Sequence, residues 1–270
     1  MSRDKVLITA TELKQRISAD EPVTILDVRW HLAEPDGRAA YAQGHIPGAV
    51  YVSLEDELSD HSVSGRGRHP LPSGRDVEAA ARRWGVRRGV PVVVYDDWNR
   101  AGSARAWWVL TAAGIPDVRI LDGGLSAWTD KLETGDVTPQ PGDVSVTHDD
   151  LYNGALPTLT AEQAADADLL LDARAPERFR GEVEPVDPVA GHVPGAKNLP
   201  STALLSEDGT FALDRLPTVD GPAGAYCGSG VTASVVIAAL AASGVDAALY
   251  PGSWSEWCSD STRGVALGAE

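Results

Sequence analysis

Cysteine is almost absent, with Cys227 and Cys258 the only two in 270 residues. Two thiols do not make the disulfide framework of a secreted domain, so a reducing cytoplasm is the expected setting. Basic charge is also scarce, at 23 Lys and Arg against 39 Asp and Glu, a formal net charge of −16. Nucleic acid and anionic membrane surfaces select basic footprints, so neither is an expected partner. No apolar run approaches the roughly 18 residues of a membrane span. Met1-Ser2-Arg3-Asp4-Lys5 reads as the approach to a helix, not as the apolar core of a secretion signal. No cluster of residues has metal-ligand spacing, so no metal cofactor is expected. Apolar side chains are plentiful, at 43% of the chain, enough for packed cores in one large or two ordinary domains.

The chain repeats itself at a spacing of about 130–150 residues. Thr9-Ala10-Thr11-Glu12 and Thr160-Ala161-Glu162-Gln163 are both capping-box helix starts. Thr24-Ile25-Leu26-Asp27-Val28-Arg29 matches Leu169-Leu170-Leu171-Asp172-Ala173-Arg174, two short buried strands ending in Asp-x-Arg. Gly44-His45-Ile46-Pro47-Gly48-Ala49 matches Gly191-His192-Val193-Pro194-Gly195-Ala196, and Pro91–Asp96 matches the segment ending at Tyr226-Cys227. Leu121-Asp122-Gly123-Gly124 followed by Trp128 matches Tyr250-Pro251-Gly252-Ser253 followed by Trp257. Each half alternates short apolar strands with helices, among them Ser103–Gly114 and Val231–Gly244. That alternation predicts an α/β fold of two tandem domains, each a mainly parallel sheet with helices on both faces. The expected units are 1–138 and 158–270, joined by a linker at 139–157 within a stretch rich in Gly, Pro, Asp and Thr.

Cys227 stands where a strand gives way to Gly228-Ser229-Gly230-Val231-Thr232 and then a helix. Backbone N–H groups and the positive end of a helix dipole favour an anion at such a turn, and a thiolate is such an anion. A buried structural cysteine would need neither the two glycines nor the two hydroxyls. In the first half the matching position is Asp96, so that copy carries no nucleophile.

These residues resemble the tandem rhodanese-type sulfurtransferases over nearly the whole chain. The paired Gly-His-Ile/Val-Pro-Gly-Ala segments, Asp122-Gly123-Gly124-Leu125 before Trp128, Pro251–Trp257 and the loop Cys227–Thr232 carry the resemblance. It implies catalysis in the C-terminal domain, at a site facing the interdomain cleft. Cys227 would take sulfur from a small anionic donor as a persulfide. An acceptor such as cyanide, a thiol or thioredoxin would then remove it, by a two-step covalent route. Ser229 and Thr232 would serve with Cys227 in catalysis, and Gly228, Gly230 and Val231 would line the donor site. Gly228 and Ser229 occupy positions where thiosulfate-specific members of the animal type carry Arg and Lys. That favours a monoanionic carbonyl donor, 3-mercaptopyruvate, with thiosulfate by the same mechanism as the alternative.

Arg178 matches a family arginine that binds the donor carboxylate, a task suited to a guanidinium. The family's second arginine before the Gly-His-Pro segment is missing from Val183–Ala190, and Arg180, Arg66 or Arg68 could stand in for it. From the first half, His69 and Glu55 fall where relatives place cleft-facing groups. His45 and His192, present in both copies, read as structural, as do the Asp-x-Arg pairs. The tryptophans Trp107, Trp108, Trp128, Trp254 and Trp257 read as packing residues, with Trp254 a candidate for the pocket wall. Cys258 reads either as a resolving thiol for Cys227 or as a spectator. A dual-specificity phosphatase would need Cys-x5-Arg, but the sixth residue after Cys227 is Ala233. A noncatalytic sulfur carrier or regulatory module is the alternative of another class, and the presence of Cys227 weighs against it.

Overall fold

A computed structural model describes residues 1–269. Its first sheet contains β1 (Leu7–Ile8), β2 (Thr24–Asp27), β3 (Val50–Tyr51), β4 (Val92–Tyr95) and β5 (Val118–Leu121) in the order β1-β5-β4-β2-β3. The second contains β6 (Leu170–Asp172), β7 (Lys197–Asn198), β8 (Ala223–Tyr226) and β9 (Ala247–Leu249) in the order β7-β6-β8-β9. Every named pairing is parallel. The central strands are short and mostly apolar, as in parallel sheets covered on both faces, whereas the edge strand β7 is polar. Both expected capping boxes form, at Thr9 with Glu12 and at Thr160 with Gln163.

The two helices that follow β4 and β8 run Ala101–Ala112 and Ala233–Ala242, two residues off the expected end at each boundary. Val231 and Thr232 belong to the turn that follows Cys227, which displaces the second helix start. Both helices are buried nearly all round, and they pack against each other as well as on their own sheets. A helix apolar on every side belongs in an interior. One continuous apolar core therefore runs through both halves, from Leu26 and Trp108 to Val236 and Leu249.

Residues 139–157 are largely irregular but tied down. Gly142 N–H donates to the Arg82 carbonyl at 2.7 Å, Thr147 N–H to that of Ala113 at 2.9 Å and Ala155 N–H to that of Ala112 at 2.8 Å. The segment is thus a strap along the first half, and the chain enters the second where Leu159 N–H donates to the Leu249 carbonyl at 2.8 Å. No helix among the described residues is long and apolar enough to cross a membrane.

Candidate active site

β8 delivers Cys227 to the carboxyl end of its sheet, where open parallel sheets carry their ligand sites. Gly230 then takes φ +80°, and a side chain there would meet the Pro251 carbonyl. This turn aims the Gly230 N–H back at Cys227 Sγ, to which it donates at 3.1 Å. A second segment pins the loop. Cys227 N–H donates to Ser253 Oγ at 3.1 Å, and the Cys227 and Gly228 carbonyls accept from Trp254 and Ser255 N–H. Val231 is buried in the core, and Thr232 precedes the helix without capping it through its side chain. The two hydroxyls expected to act together are therefore unequal.

Ser229 has a definite partner from the other half of the chain. Its Oγ lies 2.7 Å from Nδ1 of His69, whose Nε2 lies 3.1 Å from Oε1 of Glu55. Glu55 also accepts from Trp30 Nε1 at 2.7 Å and is 2.9 Å from His61 Nε2. These bonds, that to His69 foremost, hold the Glu55 carboxyl down at about 2. Burial pushes His69 below its ordinary 6.5 and outweighs the pull of Glu55. The pair is then a neutral imidazole beside a carboxylate. A carboxylate only accepts, so Nε2 carries the proton and Nδ1 accepts from the Ser229 hydroxyl. Ser229, His69 and Glu55 form one hydrogen-bonded line that begins two residues from Cys227 and crosses between the halves.

Arg178, in the short helix Pro176–Phe179, stands beside the same loop but is engaged by carboxylates. It donates to Glu184 at 2.7 and 3.3 Å and to Asp187 at 3.3 Å. Of the three stand-ins for a second arginine, Arg180 pairs with Glu182 at the surface and Arg66 lies over the Tyr152 ring. Arg68 reaches Gly228 and also pairs with Asp187. A cavity of about 790 Å³ opens behind this loop, lined by Arg66, Tyr152, Glu256 and Arg263 among others, and does not include Cys227. Cys227 itself is 2% exposed.

In the first half, Asp96 takes the position of Cys227 and fills the anion-binding turn itself. One carboxylate oxygen accepts from the N–H groups of Trp98 and Arg100, the other from the N–H and hydroxyl of Ser103. Arg100 pairs with it at 3.0 Å and is held at φ +63°, a left-handed conformation unusual for a non-glycine. The repeated histidines have matching settings: His45 Nδ1 lies 3.0 Å from the Tyr41 carbonyl and His192 Nδ1 2.7 Å from that of Phe179, each stacked on that ring. Arg29 and Arg174 clamp their own Asp and the carbonyls of Gly44 and Gly191. Trp254 is not a pocket wall, because it is fully buried, donates to the Val189 carbonyl and carries Arg174 on its face. Cys258 is a free thiol whose titration is pushed up by burial, with the Asp187 and Glu184 charges adding to it. A resolving thiolate needs the opposite shift, so its surroundings favour the spectator role.

Three participants were not picked out from the sequence. Trp30 orders Glu55, and Asp187 joins the two arginines. Arg105 is wholly buried, donating to the carbonyls of Leu58, His69 and Pro70 at 2.9–3.4 Å, and burial pushes its titration down to about 10. A lone charge in the apolar helix Ala101–Ala112 was the available signal for Arg105. Nothing local marks the other two.

Two parallel-sheet halves, with a buried cysteine turn in one facing a histidine from the other, define a two-lobed α/β protein with a thiol-centred site at the lobe boundary. The rhodanese-like domain model matches residues 9–131 and again 156–260, and the chain belongs to the rhodanese family. It is 65% identical over 280 residues to SseB of Mycobacterium tuberculosis, covering 99% of each chain; SseB is provisionally named a thiosulfate sulfurtransferase. It is 36% identical over 262 residues to the 3-mercaptopyruvate sulfurtransferase of Escherichia coli K12, covering 88% of this chain and 90% of that one. The crystal structure of SseA from Escherichia coli, described as having the rhodanese fold, superposes with a TM-score of 0.79. It has 32% identity and covers 94% of this chain and 100% of that one.

Proposed function

We propose that the chain is a sulfurtransferase that moves sulfur from 3-mercaptopyruvate through a Cys227 persulfide to a thiophilic acceptor. Catalysis belongs to the unit 158–270, with 1–138 contributing His69 and Glu55. The observation that supports this most is the 2.7 Å contact between Ser229, beside the thiol, and His69 of the other half. The Cys227 thiolate attacks the donor sulfur, and the donor's carbon–sulfur bond breaks to leave the enolate of pyruvate. The proton of the donor thiol passes to Ser229 while the Ser229 proton passes to His69 Nδ1. His69, now cationic beside Glu55, donates to Ser229, and the Ser229 hydroxyl turns to the enolate oxygen. Return of the proton through the same line neutralises His69 and gives the enol, which tautomerises to pyruvate. Cyanide, a thiol or a thioredoxin-type dithiol then takes the outer sulfur and regenerates the thiolate. The setting expected for this chemistry is the cytoplasm.

Thiosulfate by the same persulfide is the second reading, with the two guanidinium groups near Gly228, both paired with Asp187, as the cations at hand. Comparing kcat/KM for the two donors in wild type and Cys227→Ser tests both. The expected result is loss of both activities in the variant and at least a roughly tenfold preference for 3-mercaptopyruvate in wild type, about 1.4 kcal/mol. A thiosulfate preference would reverse the donor assignment. Absence of a pyruvate burst and of turnover with either donor would remove the enzyme reading altogether.

A further inference from the structure

Two arginines from different halves of the chain meet over the residue that follows Cys227. A methyl group built on Gly228 would lie 2.9 Å from Nη2 of Arg68 and 3.6 and 3.7 Å from Nη1 and Nη2 of Arg178. Arg68 is carried there by contacts of its own backbone. Its N–H donates to Ser255 Oγ at 3.0 Å, and Gly67, at φ +82°, lets the chain run against the Gly252 carbonyl. Asp187 lies between the two guanidinium groups. Arg68 Nη1 donates to one of its oxygens and Arg178 Nη2 to the other, the latter at 3.3 Å. One carboxylate shared between two guanidinium groups is also how a two-arginine clamp would hold a carboxylate ligand. Glu184 takes the Nε–Nη2 edge of Arg178, sharing Nη2 with Asp187, and also accepts from Arg174 and from the N–H groups of Val186 and Asp187 without touching Arg68. Asp187 is the carboxylate that ties the two halves together at this point, and its side chain is only 3% exposed.

We propose that Arg68 and Arg178 together form the clamp for the donor's anionic group, and that Asp187 is a resident carboxylate that sets the clamp's charge. The proposal rests on the sulfurtransferase reading above and adds to it the determinant of donor choice. Arg68 and Arg178 against Asp187 and Glu184 make a formally neutral group. A monoanionic carboxylate can enter by sharing or replacing the bonds of Asp187. A dianion brings a second negative charge against the buried carboxylates of Asp187 and Glu184, where like charges repel strongly. Removing the Asp187 charge leaves the clamp with a net positive charge, which suits a dianion.

The test is steady-state kinetics with 3-mercaptopyruvate and with thiosulfate, cyanide as acceptor, on the full chain. The variants are Asp187→Asn, Arg68→Gln and Arg68→Lys. Alkylation of Cys227 by iodoacetamide, a neutral probe, reports whether the thiol stays competent, and thermal melting reports folding. In Asp187→Asn the ratio of kcat/KM for thiosulfate over 3-mercaptopyruvate is expected to rise tenfold or more. Arg68→Gln is expected to raise KM for both donors tenfold or more, and Arg68→Lys to recover part of the loss. An unchanged donor ratio in folded, alkylatable Asp187→Asn overturns the role of Asp187. Unchanged KM values in Arg68→Gln overturn the clamp. If Asp187→Asn does not fold, the Arg68 pair alone decides: a KM rise in Arg68→Gln without recovery in Arg68→Lys refutes the charge-based reading. If wild type uses neither donor although Cys227 alkylates normally, the underlying sulfurtransferase reading fails and the clamp falls with it.

Discussion

His69 takes its protonation state from opposing neighbours, and that state sets two expectations. Burial holds it neutral through the physiological range, with its titration below 6.5. As the base that receives the donor's proton, it should support a flat kcat near pH 7 that falls as pH drops below 6.5 and His69 becomes charged. His69→Asn should lower the rate of the pyruvate burst about 10²-fold and remove that acid limb. Thiosulfate delivers its sulfur without a donor proton, so its turnover should change far less, a contrast that stopped-flow measurements can read. Glu55 bears on stability. Its carboxyl titrates at about 2 in the fold against an ordinary 4.5, so the ionised form stabilises the fold fully above pH 4.5. That contribution is lost as pH falls from 4.5 towards 2. In Glu55→Gln the melting temperature should lose this part of its acid slope.

Among the elements, the helix Ala101–Ala112 does two jobs. Its apolar surface makes the boundary with the other half, while Arg105 reaches back to the carbonyls on both sides of the segment that ends at His69. Arg105→Met would leave those carbonyls without their donor. It should cost about 1–3 kcal/mol in urea unfolding and slow the burst through a displaced His69. The elements also show why some of the site could be read from the chain and some could not. Cys227 and its turn, both capping boxes and the clamped Asp-x-Arg pairs are local, so residue order alone displays them. Duplication added a contrast, since Asp96 in one copy throws Cys227 in the other into relief. By comparison, Ser229 and His69 are 160 residues apart, and Arg68 and Asp187 119 apart. Only the packing of one half on the other brings them together. Family resemblance could point to His69 and Glu55 but not to their shared hydrogen-bonded line, and nothing local singled out Arg68 from Arg66 or Arg180.

At the scale of the molecule, the continuous core means that the two halves share their stability. Trp108 and Val236 lie in one apolar cluster, and Asp122 of the first half accepts from Arg3 at 2.7 Å and from Phe211 N–H of the second at 2.8 Å. Unfolding should therefore be a single transition. Tryptophan fluorescence and residual sulfur transfer should be lost at the same urea concentration, and two separate midpoints would show that the halves stand alone. Residues 158–270 expressed alone should collect in the insoluble fraction, with the apolar face of Ala233–Ala242 uncovered.

The packing of Ala101–Ala112 on Ala233–Ala242 has a historical side. With Asp96 filling the turn where its twin carries Cys227, the first half offers no thiol of its own there, yet natural selection cannot delete it. The half that carries Cys227 relies on its twin for a roof over its own helix and for the imidazole beside Ser229. The redundancy that a duplication normally offers had become a ratchet. Later mutations could refine either half, but a lineage could not return to a single copy without rebuilding a surface and the hydrogen-bond partner of Ser229 at the same moment.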